Sequence, residues 1–269
     1  MIKNFKKPFF IAEIGINHNG NLNTALKLIK AAKKAGYDAV KFQTYKASNR
    51  VKRNSPIFSI LKKCELSHEE FIKIKKFCDK YKIIFFSTPF DEESAKFLNS
   101  INVKLFKIAS FDITNLNLIK TIKKFNKPVI ISTGMASKKE IDNVYKIFKN
   151  NLKNLIFLHC VSSYPCEETE SNLKKISTLK HLYNCEIGLS DHTNGINTIL
   201  YSRLLGANVF EKHFAIKKLS CIDKPVSINE DQSSEMIKKI NYLDKVIGDG
   251  KIGIKKHELP IKQFRRFSK

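Results

Sequence analysis

The sequence predicts an α/β fold, a single-domain (β/α)8 TIM barrel, from three observations. Eight β-rich runs alternate along the chain with segments of helical periodicity, and such alternation implies a parallel sheet. The chain has 269 residues, close to the ~250 that such a barrel occupies. Polar side chains follow nearly every predicted strand, at the rim where these barrels carry their chemistry. Eight units in a chain of this length favour a closed barrel over an open, doubly wound sheet.

The predicted strands are short runs rich in β-branched and aromatic residues. They cover residues 9–15, 38–44, 83–88, 104–110, 128–133, 155–161, 185–190 and 208–214. Between them the helical segments carry their own start signals, because Ser67 and Ser137 each begin a Ser-x-x-Glu capping box. Such boxes predict helices that begin one residue later.

The barrel is predicted to form one catalytic domain over residues 1–247, with its eighth helix at 230–247 and a basic tail at 248–269. Residues 46–64 are predicted to form a long loop after the second strand, rich in Ser, Asn and basic residues. Long loops on the catalytic rim often act as lids or substrate contacts.

The composition narrows the classes of protein to which the chain can belong. The formal net charge of +24 suits nucleic-acid binding, but the lysine pairs are scattered along the chain, which favours a solvated outer face. The six cysteines form no CxxC pair, the N-terminus carries no secretion signal, and the apolar runs are shorter than the ~20 residues of a membrane span. We therefore expect a soluble, cytoplasmic protein without nucleic-acid or membrane partners; a nucleic-acid binder is the alternative.

Two histidines end neighbouring predicted strands. His192 and His213 are separated by one helical segment, and consecutive βα units place both strand ends on the same rim, within a few ångströms. Two neutral imidazoles so placed suit a divalent transition metal. The alternative is that each is an ordinary hydrogen-bonded core histidine.

Two lysines lie within predicted strands, where burial is costly unless the ammonium group is paired or binds an anion. Lys107, with Ser110, Ser132 and Ser190, forms a candidate cradle for phosphate, and Lys41 is expected to meet a carboxylate. The alternatives are that the lysines lean outward to helix carboxylates and that the serines serve ordinary strand-end turns. Together these residues predict a site for a small phosphorylated carboxylic acid and a carbonyl compound.

Short motifs, each different, lie at or near the ends of the predicted strands. They are Ala12-Glu13-Ile14-Gly15, Asn17-His18-Asn19-Gly20, Lys41-Phe42-Gln43-Thr44, Ser87-Thr88-Pro89-Phe90, Lys107-Ile108-Ala109-Ser110, Ser132-Thr133-Gly134-Met135, His159-Cys160, Gly188-Leu189-Ser190-Asp191-His192-Thr193 and Glu211-Lys212-His213-Phe214. They cover almost the whole chain and resemble the sialic acid synthase family, whose members form N-acetylneuraminate, legionaminate or pseudaminate. The resemblance implies a metal-dependent transferase that condenses phosphoenolpyruvate with an N-acetylmannosamine-type sugar, an N-acylated hexosamine, and releases phosphate.

The resemblance also implies a role for each site residue. The metal ligands would be His192 and His213, and the metal Mn²⁺, with Mg²⁺ or Co²⁺ as alternatives. The contacts of phosphoenolpyruvate would be Lys41, Thr88, Lys107, Ser110, Ser132 and Ser190, and those of the open-chain sugar Glu13, Gln43, Tyr164 and Asp223. Ser162, which stands where some members use an asparagine, would be a further substrate-binding residue. Glu13, Lys41, Lys107 and Asp112 would be catalytic, Asp112 standing where neuraminate-forming members place a glutamate that handles a proton. The metal would activate the sugar aldehyde for attack by C3 of phosphoenolpyruvate, and water would capture the resulting oxocarbenium before phosphate leaves.

Several positions depart from the family pattern. Ala215-Ile216-Lys217-Lys218 replaces a common Thr-Leu-Asp-Lys, and no Pro-Gly-Pro precedes Asp223. Ser110-Phe111-Asp112 resembles pseudaminate-type members, whereas Asn17-His18-Asn19-Gly20 suits the neuraminate and legionaminate types, so the sugar stays open. Family members form homodimers and continue past an Arg-Arg pair into an antifreeze-like domain, which we expect to be absent here or supplied as a separate polypeptide. The alternative function is a noncatalytic or partner-dependent barrel of the same type.

Overall fold

Eight parallel strands form a nearly closed barrel in the computed structural model, which describes residues 7–266. The strands are β1 Phe9–Gly15, β2 Ala39–Thr44, β3 Ile84–Pro89, β4 Phe106–Ile108, β5 Val129–Ser132, β6 Leu155–Cys160, β7 Glu186–Asp191 and β8 Val209–His213. Their order around the sheet is β3-β2-β1-β8-β7-β6-β5-β4, so the first and last strands pair and β3 and β4 close the barrel by contact. The predicted (β/α)8 barrel is confirmed.

At least one helix follows every strand, and most of the helices pack on the outside of the barrel. Within residues 7–266 they are α1 Leu22–Ala35, α2 Ala47–Arg50, α3 Phe58–Lys63, α4 His68–Lys80, α5 Glu92–Ser100, α6 Leu116–Lys124, α7 Lys138–Phe148, α8 Lys174–Leu182, α9 Asn197–Leu204 and α10 Glu230–Ile247. The capping boxes predicted at Ser67 and Ser137 are both present, each with the side-chain oxygen accepting from the backbone N–H of the glutamate three residues on. None of the helices in this part of the chain is long and apolar enough to cross a membrane.

Two elements differ from the prediction. The fourth strand is shorter than the expected 104–110, because the chain turns into a 3₁₀ helix at Ser110–Asp112 as it leaves the rim. The loop predicted at 46–64 contains the short helices α2 and α3, which pack around a small apolar cluster of their own. After α10, residues 248–266 are exposed and contain two 3₁₀ turns.

Side chains alternate between the inside and the outside of the barrel, as the period of two in a strand requires. The inward set fills the lower part of the barrel and consists of Phe9, Ile11, Ala39, Phe86, Leu105, Ile130, Ile156, Leu158 and Val209. The outward set packs against the helices in a second, larger apolar core. Two residues further along most strands, the inward position is polar: Glu13 follows Ile11 and Lys41 follows Ala39. The polar site therefore forms a layer directly above an apolar floor.

Gly188 marks a close approach between strands β7 and β8, where it pairs with Val209. A Cβ there would lie 2.1 Å from the Val209 carbonyl oxygen and 2.6 Å from Leu158 Cδ2. The Gly188→Ala variant is expected to have a free energy of unfolding lower by about 1–3 kcal/mol, because a backbone oxygen cannot rotate away. Urea denaturation measures the change. The matched control is Gly253→Ala, whose Cβ meets nothing within 4 Å, and equal effects of the two variants would contradict the expectation.

Candidate active site

A cavity of about 170 Å³ opens at the carboxyl ends of the strands, where the sequence places the site. All but two of the predicted site residues line it: Glu13, Lys41, Gln43, Thr88, Lys107, Ser110, Ser132, Tyr164, Ser190, His192, His213 and Asp223. The two that do not line it are Asp112 and Ser162. The fold therefore brings side chains from widely separated parts of the chain into one pocket.

Two buried lysines form the inner end of the cavity. Lys41 Nζ lies 2.8 Å from Glu13 Oε2 and donates to Thr88 Oγ1 at 3.2 Å. Lys107 Nζ donates to Ser132 Oγ at 2.7 Å and to the carbonyl of Ile108 at 3.2 Å. The alternative that these lysines lean outward is wrong, since both point into the barrel.

Glu211 lies between the two lysines and was not among the predicted site residues. Its Oε1 is 3.6 Å from Lys107 Nζ, its Oε2 is 3.6 Å from Lys41 Nζ, and Ser190 Oγ donates to Oε1 at 2.8 Å. Burial raises the pKa of the Glu211 carboxyl, but the two ammonium groups outweigh it and lower that pKa to about 2. A carboxylate that stays ionised between two cations makes the inner end a compensated cluster of charges.

The two predicted metal-binding histidines face one another across the cavity. Their ring centroids are 5.5 Å apart, and the ring of Tyr164 lies 4.1 Å from that of His192. His192 Nδ1 lies 2.9 Å from the carbonyl oxygen of Val161, so this nitrogen carries the proton and donates, leaving Nε2 as the free acceptor. The ring is therefore held in the tautomer that a metal ligand needs.

His213 contacts an acidic residue of the following loop. Its Nδ1 is 3.4 Å from Asp223 Oδ2, and among residues 7–266 this nitrogen has no hydrogen-bond partner. Burial lowers the pKa of His213, but the Asp223 carboxylate outweighs it and raises that pKa. Asp223 itself is positioned through its backbone N–H, which donates to Asn17 Oδ1 at 3.0 Å.

The two residues outside the lining lie just behind it. Asp112 is half-buried in the 3₁₀ turn after β4, and burial raises the pKa of its carboxyl while Arg50 opposes the rise. Its Oδ2 has no hydrogen-bond partner within the described part of the chain. Ser162 lies against the Gly134 backbone, with its hydroxyl 3.8 Å from Cys160 Sγ.

Seven further residues line the cavity and are not among the predicted site residues: Ile16, Arg50, Phe90, Ala109, Phe111, Cys160 and Glu211. Two of them carried a signal in the sequence, because Glu211 shares the inward face of β8 with His213 and Cys160 follows Leu158 on the inward face of β6. Arg50 and Phe90 lie beyond the ends of strands, on segments whose path depends on tertiary packing. No periodic pattern marks such positions.

Comparison with known proteins gives a consistent set of relatives. The NeuB family model matches residues 28–252 of the chain. The N,N'-diacetyllegionaminic acid synthase of Campylobacter jejuni is 41% identical over 266 residues, which cover 91% of this chain and 79% of that protein. The pseudaminic acid synthase of the same species is 35% identical over 277 residues, covering 97% and 81%.

Among solved structures, the N-acetylneuraminic acid (sialic acid) synthetase from Leptospira borgpetersenii, in complex with citrate, has a TM-score of 0.93 at 37% identity. The match covers 97% of this chain and 92% of that one. The three relatives are named for three different acids, so likeness alone leaves the sugar open.

Proposed function

This chain belongs to the NeuB family, and from that premise we propose that it condenses phosphoenolpyruvate with an N-acetylmannosamine-type sugar, releasing phosphate and forming a nonulosonic (sialic) acid. The observation that carries the proposal is the pair of buried lysines, Lys41 and Lys107, at the inner end of the cavity. Two ammonium groups with several hydroxyl groups beside them suit an anion that brings both a phosphate and a carboxylate.

Phosphoenolpyruvate is assigned to the inner end. Hydroxyl groups of Thr88, Ser110, Ser132 and Ser190 line the cavity beside the two ammonium groups, and hydroxyls donate to phosphate and carboxylate oxygens alike. The apolar layer below closes the floor, which keeps bulk water from reaching the anion from that side. The surplus of positive charge on the whole protein favours the approach of an anionic substrate.

The sugar is assigned to the outer end. Glu13, Gln43 and Asp223 offer acceptors and donors for the hydroxyl groups of an open-chain sugar, and Tyr164 forms one wall beside the histidines. Burial raises the pKa of Glu13, although Lys41 opposes the rise, and burial also raises the pKa of Asp112. Carboxyl groups with raised pKa values suit proton transfer, the role proposed for both residues together with charge stabilisation by Lys41 and Lys107.

A divalent metal is part of the proposal, with Mn²⁺ first and Mg²⁺ or Co²⁺ as alternatives. Within residues 7–266 no three His, Cys, Asp or Glu side chains are grouped as a complete ligand set. The donor chemistry nevertheless fits, because His192 presents Nε2 and the buried His213 Nδ1 has no hydrogen-bond partner there. His192 and His213 would hold the ion, which would supply Lewis-acid polarisation of a carbonyl oxygen.

The experiment that tests the function is a phosphate-release assay. The purified protein is incubated with Mn²⁺, phosphoenolpyruvate and a panel of N-acylated mannosamine-type sugars, and mass spectrometry follows the nine-carbon 3-deoxy-2-keto acid. Release of phosphate only when a sugar is present is expected, and reactions without sugar control for simple hydrolysis. No release with any sugar, with or without a separately supplied antifreeze-like domain, would reject the proposal in favour of a noncatalytic barrel.

Assembly and location complete the proposal. We expect a cytoplasmic homodimer, and sedimentation of the purified protein measures the number of subunits. A separately supplied antifreeze-like domain is expected to improve sugar turnover more than binding of phosphoenolpyruvate, because the barrel residues alone line the inner end of the cavity.

The proposed metal site makes a prediction that does not depend on turnover. His192→Ala and His213→Ala are each expected to weaken Mn²⁺ binding by at least about 10- to 100-fold, because even outer partners of ligands have effects of that size. Isothermal titration of the chelator-treated protein measures the affinity. His181→Ala, on the exposed end of α8, is the matched control. Unchanged Mn²⁺ affinity in both site variants would show that the histidines are not the ligands.

A further inference from the structure

Arg50 reaches the cavity from the segment that follows β2, which is held in place by its own small core. Ile16, Tyr45, Ala47, Leu61 and Cys64 form this apolar cluster. The Tyr45 hydroxyl donates to the Leu61 carbonyl at 3.0 Å, and the Ala47 N–H donates to Glu65 Oε2 at 2.9 Å. The four-residue helix α2, which ends at Arg50, is thereby fixed against the rim.

The Arg50 guanidinium is stacked on aromatic rings at the mouth of the cavity. Its central carbon lies 3.8 Å from the centroid of the Phe90 ring and 4.9 Å from that of Tyr45. Stacking holds the plane of the guanidinium and leaves its edges free to donate. Within residues 7–266 the guanidinium makes one hydrogen bond, in which Nη1 donates to Gln43 Oε1 at 2.8 Å. Four of its five N–H groups therefore make no hydrogen bond within this part of the chain.

That one hydrogen bond fixes the orientation of the Gln43 amide. Arginine can only donate, so the amide oxygen of Gln43 must face Arg50 and the amide nitrogen must face the other way. Gln43 Nε2 accordingly donates to Glu13 Oε1 at 3.4 Å, and Glu13 Oε2 lies 2.8 Å from Lys41 Nζ. A continuous chain of polar contacts thus runs from Arg50 at the mouth to the lysine at the inner end.

The charges around Arg50 define the kind of ligand that fits. Asp223 lines the cavity together with Arg50, and its Oδ2 lies 3.4 Å from His213 Nδ1. A phosphate group bound by Arg50 would lie close to the Asp223 carboxylate, and like charges so close repel. An uncharged ligand with a carbonyl oxygen for Arg50 and hydroxyl groups for the carboxylate satisfies both.

We propose that Arg50 is a specificity-determining residue for the sugar, binding the acyl oxygen of an uncharged N-acylated amino sugar and orienting Gln43 beside it. This inference rests on the proposed function. It gives the cavity two ends of different charge, an inner one for the anionic substrate and an outer one that rejects a phosphorylated sugar.

The test compares three variants at two arginines of the same segment. Arg50→Met keeps the apolar packing on Phe90 but removes the donors, and Arg50→Lys keeps the charge. Arg53→Met is the matched control, since Arg53 is exposed on the same segment. Arg50→Met is expected to raise KM for the sugar about 10- to 100-fold, the effect of losing hydrogen bonds to a charged group, with KM for phosphoenolpyruvate changed less than about threefold. Arg50→Lys should recover part of the loss.

A substrate comparison with the unaltered protein tests the charge argument. The unphosphorylated sugar is expected to have at least about tenfold higher kcat/KM than its phosphate ester, and a preference for the ester would overturn the inference. Unchanged sugar KM in Arg50→Met would also overturn it.

Calorimetric titration of N-acetylmannosamine and of phosphoenolpyruvate separates this inference from the proposed function. Weakened sugar binding by Arg50→Met with normal phosphoenolpyruvate binding supports the inference even if no phosphate is released. Failure of the unaltered protein to bind the sugar overturns it. Normal phosphoenolpyruvate binding and melting temperature in Arg50→Met show that the variant is folded.

Discussion

Replacing Lys107 by methionine is expected to lower kcat/KM for phosphoenolpyruvate by about 10²- to 10³-fold. The Lys107 side chain is 3% exposed, and its ammonium group lies 2.7 Å from Ser132 Oγ and 3.6 Å from Glu211 Oε1. Burial lowers the pKa of Lys107, and Glu211 opposes the change. Removing one preorganised group that stabilises negative charge in an active site typically lowers the rate by about 10²- to 10³-fold. Methionine keeps most of the apolar stem and lacks the ammonium group, so the loss reports the charge.

Steady-state kinetics with both substrates measures the effect, and two further variants make it specific. Lys104→Met is the matched control, since Lys104 is exposed three residues earlier in the same segment and should change nothing. Lys107→Met combined with Glu211→Gln removes both charges, so it should recover thermal stability without recovering activity. Activity of Lys107→Met within about tenfold of the unaltered protein would contradict the assignment of phosphoenolpyruvate to the inner end.

The barrel could be predicted from sequence because its signals are local and repeated. Each strand is a run of β-branched and aromatic residues, and the capping boxes at Ser67 and Ser137 mark where two helices begin. The errors lie where local signals stop. The fourth strand ends early at Ile108, and residues 46–64 form helices α2 and α3. Those helices depend on packing around Tyr45 and Leu61 rather than on helical periodicity.

The residues of the candidate site likewise fall into those that local sequence patterns predict and those that they do not. Lys41, Lys107 and His213 lie on strands, so topology alone brings them to one rim. Glu211 was predictable from the alternation of β8, because a strand that points His213 inward also points the residue two positions earlier inward. Arg50 was not predictable, since its position depends on the stacking with Phe90, which follows a different strand. Distances such as these exist only in the folded chain.

Replacing Asp191 by alanine is expected to lower the free energy of unfolding by about 3–5 kcal/mol, the largest stability loss we predict. Lys212 is 0% exposed, and its ammonium group lies 2.5 Å from Asp191 Oδ2 and also donates to the Thr193 carbonyl. Both residues point outward from the barrel, between β7, β8 and the start of α9. Without the carboxylate, an ammonium group stays buried with only neutral partners, which is the costly half of a broken buried pair. Thermal unfolding should shift down by about 6–20 °C.

The same ion pair lies beside both proposed metal ligands, since Asp191 precedes His192 and Lys212 precedes His213. It ties β7 to β8 at the level where the two imidazoles enter the cavity, so its loss should also weaken Mn²⁺ binding, although neither side chain lines the cavity. Glu235→Ala is the control: it breaks the exposed Lys239–Glu235 pair of α10, whose side chains are each 53% exposed, and should cost less than about 1 kcal/mol. If Asp191→Ala and Glu235→Ala have the same melting temperature, the buried pair does not stabilise the rim. If Asp191→Ala melts early but binds Mn²⁺ normally at low temperature, the pair stabilises the barrel without setting the spacing of the two histidines.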